Sequence, residues 1–210
     1  MPSAPAPVSP ATGSGTGTGL RERLVEAASE ITCATGWSDV TMAKLADRVG
    51  VSRQTVYNEV GSKPALGQAM VMRELDRFLA LVATELDRHD DVVEAIRAAS
   101  ERILVAARDN PLLHAVLSTA QGGTSELLPY LTTQAEPLVE AATTMIAEHV
   151  DKRFPDLGLS DEELATGLDT VVRLVLSHVM QPGDTPERTA ERIAWISARV
   201  LTSAGSALRR

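Results

Sequence analysis

Residues 53–58, Arg-Gln-Thr-Val-Tyr-Asn, carry polar side chains of the types that read base pairs. Arginine can donate two hydrogen bonds to guanine, glutamine can form two with adenine, and a threonine methyl group can contact thymine. Tyr57 and Asn58 come next along the same stretch and can contact bases or phosphates. These side chains can contact nucleic acid if the surrounding elements hold residues 53–58 at a groove.

Those surrounding elements have the spacing of a helix-turn-helix over residues 42–60. Thr41 and Ser52 precede two short helices as caps, and Gly50 fits the turn, where a positive φ is easiest for glycine. Ala46 is small where the two helices cross. The apolar contacts between them are predicted at Leu45, Val49, Val51 and Val56. The second helix then fits the major groove with its N-terminal residues at base edges.

The remainder of the chain also reads as helical, with no sustained two-residue alternation. Caps, prolines and glycines place a first helix ending at Gly36, a long fourth from Ser62 to about Arg88, and further helices at about 91–108, from 111 to near Gly122, at about 125–150, and after Ser160 and Thr185. We expect Pro137 to kink the helix over 125–150. The last two helices are apolar around much of their girth, which predicts burial against a second copy of the chain.

Composition bounds the function. The chain has 210 residues, a net charge of −8, one cysteine and 3% aromatic residues. Residues 1–19 contain no charged residue and almost only Pro, Ala, Ser, Thr and Gly, which predicts a disordered arm. Neither a secretory signal nor a membrane-spanning run is found, so we expect a cytoplasmic protein with no membrane contact. Residues 20–66 are electrically neutral and residues 67–210 carry the whole negative charge, so a polyanion is tolerated only by the first part.

Residues 20–66 resemble the TetR family of bacterial transcriptional repressors. The resemblance is carried by Gly36-Trp37, Val40-Thr41, Leu45-Ala46, Gly50-Val51-Ser52, Tyr57, Lys63 and Leu66. It implies phosphate contacts from the residues matching Thr41, Ser52, Tyr57 and Lys63, and groove contacts from those matching Arg53, Gln54, Thr55 and Asn58. Lys44 is added as a basic residue near the DNA backbone.

The resemblance also implies an architecture and a mechanism. The expected fold class is all-α, with an N-terminal three-helix DNA-binding unit containing the helix-turn-helix (20–66), followed by a larger helical ligand-binding and dimerisation domain (67–210). By this resemblance a homodimer, paired through residues 160–205, binds a near-palindromic DNA operator as a repressor. A small-molecule effector in a cavity moves the long fourth helix and releases the DNA.

The scarcity of aromatic residues favours an aliphatic or lipid-like effector, such as an acyl chain or an alkane, over a flat cationic drug. The candidate effector-binding residues are Phe78, His114, Tyr130, Gln134 and Met145.

Two other classes of function, an enzyme and a carrier protein or activator, are alternatives to a repressor. An enzyme is disfavoured because the four histidines are scattered without metal-ligand spacing and no glycine-rich phosphate loop follows a strand, so no catalytic residue, metal or cofactor is predicted. The alternative is a lipid-binding or carrier protein, or an activator, that keeps the fold without sequence-specific repression. The neutral charge of 20–66 and the presence of Glu59 favour that alternative, whereas Arg53, Gln54, Tyr57 and Lys63 oppose it.

Overall fold

The computed structural model describes residues 19–122 and 126–207, which form an all-α fold without a strand in these ranges. The helices are α1 (Leu20–Thr35), α2 (Met42–Val49), α3 (Arg53–Val60), α4 (Lys63–Arg88), α5 (Val92–Arg108), α6 (Pro111–Gly122), α7 (Glu136–Arg153), α8 (Asp161–Met180) and α9 (Pro186–Ala207). Short 3-10 helices span Trp37–Asp39 and Leu128–Leu131. The predicted disordered arm lies outside the described residues, apart from Gly19.

Side-chain caps begin the helices at the predicted places. Thr41, Ser52, Ser62 and Ser160 each accept a hydrogen bond from the backbone N–H three residues later. Each bond satisfies a donor that has no partner inside the helix, which fixes where the helix starts. Gly50 ends α2 in the left-handed region at φ 78° and turns the chain toward α3.

The predicted kink at Pro137 is wrong. The chain breaks instead: a 3-10 turn over Leu128–Leu131 comes first, and α7 begins only at Glu136 with Pro137 in its first turn. A proline in the first helical turn loses no hydrogen bond, because the N–H it lacks would have no partner there. Pro137 therefore marks the beginning of a helix.

The core runs from the first three helices along α4 into the larger helical part of the chain. Leu24, Leu45, Val56 and Leu66 are fully enclosed, or nearly so, and join α1 through α4. The same cluster continues into α6 and α7, and a second cluster lies among α4, α5, α7 and α8. With 26 residues, α4 is about 39 Å long and forms part of both clusters.

Candidate functional site

The helix-turn-helix is held together by the apolar residues predicted for it. Leu45 and Val56 are completely buried between α1, α2 and α3, and Ala46 is 3% exposed. Arg23 Nη2 also donates to the carbonyl of Val49 at 3.0 Å, which ties α1 to the end of α2. The two short helices are therefore fixed relative to each other and to α1.

The outward face of α3 carries the predicted base-reading side chains. Arg53, Gln54, Tyr57 and Asn58 are all exposed, and Tyr57 keeps 52% of its surface accessible. Gln54 Nε2 donates to Asn58 Oδ1 at 3.0 Å, so these two amides support each other along the helix. Within the part of the chain that the structure describes, Arg53 forms no ion pair.

The two hydroxyls at the start of α3 are already bonded to each other. Ser52 Oγ lies 2.8 Å from Thr55 Oγ1 and also accepts from the backbone N–H of Thr55 at 3.1 Å. Both side chains stand at the N-terminus of α3, where the helix dipole favours an anion. They are placed where a DNA phosphate would be received.

Basic residues beside the motif are partly neutralised by neighbouring carboxylates. Lys44 Nζ is 3.6 Å from Asp39, and Arg48 Nη2 is 2.8 Å from Glu30. These pairs are about half exposed, so they are weak and can exchange for phosphate contacts. Lys44 is thus available to DNA only in competition with Asp39.

Lys63, the first residue of α4, lies at the junction of the two domains. Its Nζ is 5.0 Å from the centre of the Trp37 ring and 3.9 Å from Glu126 Oε2. The same carboxylate accepts from Trp37 Nε1 at 2.9 Å, and the nearby Tyr130 hydroxyl donates to the carbonyl of Pro64 at 3.1 Å. The segment before α7 therefore binds directly to the start of α4.

A second junction connects α1 to α4 through charged groups. Glu26 on α1 pairs with both Arg73 and Arg77 of α4. Arg77 Nη1 also binds Glu74 at 2.6 Å, and the other oxygen of Glu74 accepts from Asn110 Nδ2 at 2.8 Å. Burial and the neighbouring positive charge of Arg77 lower the pKa of Arg73. The chain of contacts ends at Glu74, which is 7% exposed and lines the cavity described next.

A cavity of about 640 Å³ lies inside the larger domain between α4, α5, α6, α7 and α8. Its wall is almost wholly aliphatic, and Phe78 is the only aromatic residue in the lining among the described residues. This volume falls in the range of about 300–1,000 Å³ that is usual for small-molecule sites. Its lining includes Leu75, Leu79, Val82, Ile103, Leu138, Ile146, Leu168 and Val175.

Of the five predicted effector-binding residues, Phe78 lines this cavity and the other four do not. His114 is exposed, with its Nε2 bonded to the carbonyl of Arg108, and Tyr130 turns toward Pro64. Gln134 and Met145 point to solvent, and Met145 is 42% exposed. The prediction for these four residues is therefore wrong, and the wall consists mainly of aliphatic side chains.

The wall residues that the sequence prediction missed include the apolar stripe of α8. Leu164, Leu168, Val171, Val172, Val175 and Val179 all line the cavity. The apolar girth of this helix predicts burial on two sides, with a second copy of the chain covering what the helices of the same chain leave open. Part of that surface instead faces the cavity, a distinction that helical periodicity alone cannot make.

A fold of this kind, with an exposed reading helix at one end and a cavity at the other, defines a helix-turn-helix regulator with a separate ligand-binding domain. The model of the bacterial regulatory proteins of the tetR family matches residues 24–70. The model of the C-terminal domain of the bacterial tetracyclin repressor matches residues 91–199, just over half of the chain. The chain belongs to the TetR family of transcriptional regulators.

Individual relatives agree with this assignment. The HTH-type transcriptional regulator AlkX of Mycobacterium tuberculosis is 27% identical over 176 residues, which are 83% of this chain and 82% of that protein. The structure of AlkX from Dietzia sp., a TetR family repressor implicated in biodegradation of n-alkanes, matches with a TM-score of 0.73 at 23% identity, over 87% of this chain and 95% of that one. Thermus thermophilus FadR in complex with lauroyl-CoA matches with a TM-score of 0.59 at 24% identity, over 88% and 94%.

Two features are absent from the described residues. No helix there has the length and apolarity needed to cross a membrane. Those residues also contain no group of three or more His, Cys, Asp or Glu side chains that could hold a metal ion.

Proposed function

We propose that the protein is a ligand-responsive repressor that binds a near-palindromic operator as a homodimer and is released by a small aliphatic effector. The observation that carries this proposal is that one helix, α4, joins an exposed helix of the helix-turn-helix to an aliphatic cavity. Residues 20–66 are the proposed DNA-binding domain and residues 67–210 the proposed ligand-binding and dimerisation domain. The match to a family of transcriptional regulators supports the coarser part of this function.

The proposed DNA contacts follow the exposure of the side chains. Arg53, Gln54 and Asn58 are exposed on α3 and are proposed to read bases, with Thr55 at the groove edge. The proposed phosphate contacts come from Thr41, Lys44, Ser52, Tyr57 and Lys63.

The proposed effector is aliphatic because the cavity wall is aliphatic. Leucine, valine and isoleucine side chains stabilise a hydrocarbon by removing its surface from water, and a single ring at Phe78 cannot stack a flat drug. Two proteins of this fold are associated with such compounds, one through n-alkane degradation and the other through bound lauroyl-CoA. Because their sequence identity to this chain is low, these two proteins support only the capacity of the fold for such compounds. The aliphatic effector of this chain is inferred from the residues that line its own cavity.

The proposed dimer surface comprises α8 and α9, within residues 160–205. Trp195 is 58% exposed and Ile196 39% exposed, whereas Ile193 on the same helix is buried against the chain itself. Two large apolar side chains side by side on an exposed helix are typical of a surface that another chain covers. A two-fold pairing of this surface would set two reading helices about one DNA turn, roughly 34–36 Å, apart.

The proposed route from effector to DNA runs through residues 126–131. Leu127 and Leu131 line the cavity, and Glu126 and Tyr130 in the same segment hold the start of α4. A ligand that displaces the two leucines must also move their neighbours. The effector would thereby shift the dimer between two geometries, to an extent limited by its difference in affinity for them.

The test is a fluorescence anisotropy titration of the full chain on the DNA upstream of its own gene, at two salt concentrations, with and without a panel of ten-carbon aliphatic compounds. We expect specific binding that weakens steeply as salt rises, and release by at least one panel member. Specific binding that no member relieves would refute the aliphatic effector. Binding of the panel without specific DNA binding would favour the carrier alternative.

A further inference from the structure

All charged side chains that line the cavity are acidic. Among the described residues, the lining includes Glu74, Glu162 and Glu163 but no lysine, arginine or histidine. A charge removed from water needs an opposite charge or several hydrogen bonds to offset its lost hydration. A carboxylate or phosphate placed in this cavity would meet like charges and no cationic partner in the wall.

The inner carboxylate, Glu74, is already satisfied. One of its oxygens accepts from Arg77 and the other accepts from Asn110. Arg77 is in turn shared with Glu26, so this arginine is bound by two carboxylates. Both oxygens of Glu74 therefore have partners, and the neighbouring arginines of α4, Arg73 and Arg77, are not part of the cavity lining.

Besides the buried hydroxyls of Ser100 and Ser197, the lining has a polar part where α8 is exposed, at Glu162, Thr166 and Thr170. Glu163 beside them accepts two hydrogen bonds at 2.8 Å from the backbone N–H and hydroxyl of Ser160, and the backbone bond lowers its pKa. Glu163 is therefore ionised at neutral pH, and the exposed edge of the cavity is negative. Hydroxyls and carboxylates at this edge can accept or donate a hydrogen bond to a neutral polar group.

We propose that the effector is an aliphatic molecule without an anionic group, such as a hydrocarbon chain with at most a hydroxyl, ester or carbonyl group, and that Glu162 selects against fatty carboxylates. A flat cationic drug is disfavoured because the buried Glu74 is occupied and a single ring, Phe78, offers no aromatic cage. This inference rests on the proposed function, since it specifies the ligand of the same cavity.

The test is isothermal titration of the full chain at neutral pH with 1-decanol, decanoate and decylammonium, which share one chain length and differ in charge. We expect 1-decanol to bind at least tenfold more tightly than decanoate, and decylammonium to bind more tightly than decanoate as well. Binding of decanoate as tight as that of 1-decanol or decylammonium overturns the proposal.

A pair of matched variants tests the selecting role of Glu162. Glu162→Gln removes a charge at the cavity edge, and Glu148→Gln removes one from an exposed position of α7 outside the lining. We expect E162Q to reduce the ratio of the decanoate Kd to the 1-decanol Kd at least threefold, and E148Q to leave this ratio unchanged. The same ratio in both variants overturns the role of Glu162.

Operator titrations with the same compounds separate this inference from the function on which it rests. Release of DNA by decanoate but not by 1-decanol would overturn the effector without an anionic group and keep the repressor. Selective binding of 1-decanol without release of any DNA would keep the ligand without an anionic group and overturn the repressor.

Discussion

Arg53 and Lys63 are both basic residues at the proposed DNA surface, but their surroundings differ. Arg53 extends from the first turn of α3 and makes no ion pair in the described ranges, so its guanidinium is available to a base. Lys63 lies over the Trp37 ring at the helix start, where a phosphate would be received. Arginine offers a planar fork and lysine a point charge, which suits the first to bases and the second to backbone.

Arg53→Ala is expected to lower affinity for the operator by about 5- to 150-fold, which corresponds to about 1–3 kcal/mol for a bidentate base contact. Affinity for a shuffled sequence should change little, so discrimination falls. Anisotropy titrations on both DNAs measure this. Arg102→Ala, an exposed arginine on α5, is the matched control. An equal loss on both sequences would contradict base reading by Arg53.

Lys63→Ala is expected to weaken binding to operator and shuffled DNA alike, and to reduce the slope of log affinity against log salt by about 1. The physical reason is the loss of one phosphate contact and of the counterion that it releases. Titrations at four salt concentrations give the slope. An unchanged slope would show that Glu126 and Trp37 retain Lys63 when DNA is bound.

The reading residues could be predicted from sequence because the motif fixes their place on α3. The contact of Glu126 with Trp37 could not, since it joins residues 89 positions apart through a turn with no motif. The cavity wall was missed for a different reason. Valines such as Val175 occur both in cavity walls and in packed cores. The residue type therefore does not reveal whether there is empty space beside the side chain.

Two glycines within helices differ in how much space is available for a side chain. A methyl group added at Gly167 in α8 meets nothing within 4 Å, whereas one added at Gly67 in α4 would lie 2.8 Å from Leu127 Cδ2 and 3.3 Å from Trp37. Glycine at position 67 allows α4 to approach Leu127 and Trp37 closely. At position 167 no close approach requires glycine.

Gly167→Ala is therefore expected to stabilise the protein by about 0.5–1 kcal/mol, because alanine loses less backbone entropy in a helix. The melting temperature should rise by about 1–4 °C in thermal denaturation followed by circular dichroism. Gly67→Ala should lower it, because Leu127 or Trp37 must shift to admit the methyl group. The reverse order would contradict the packing described for α4.

Tyr130→Phe tests the link between the segment 126–131 and α4. It removes only the hydroxyl that donates to the Pro64 carbonyl. We expect the ratio of operator Kd with and without a saturating panel effector to fall about fivefold, as about 1 kcal/mol for one hydrogen bond implies. Thr133→Ala, at an exposed position three residues away, should leave the ratio unchanged. An unaltered ratio in Y130F would exclude this link.

Helix beginnings were predictable because each depends on a local bond, as at Thr41 or Ser160. The break before α7 was not, since Pro129 and Pro137 both fit either a kinked helix or a turn followed by a new one. The packing of Leu127 and Leu131 against α4 accompanies the turn in the structure. That choice depends on tertiary contacts, which a local pattern does not contain.

For the molecule as a whole, Trp195→Glu is expected to prevent dimerisation, because it places a charge in the centre of the proposed two-fold surface. Light scattering after gel filtration should give about 22.3 kDa in place of twice that mass. Operator affinity should fall at least tenfold, since a monomer contacts one half-site. Glu191→Gln, an exposed change on the same helix, is the control. A dimeric W195E protein would place the interface elsewhere.

An effector bound in the aliphatic cavity would also lengthen the lifetime of the protein. A molecule that binds the folded chain and not the unfolded one adds about 2.7 kcal/mol to the free energy of unfolding at a hundred times its Kd. Degradation in cells often follows the unfolded fraction, so the effector protects the chain against proteolysis. For the proposed repressor, this would let the released chain accumulate while the effector is abundant, so that repression would return quickly once the effector has been consumed.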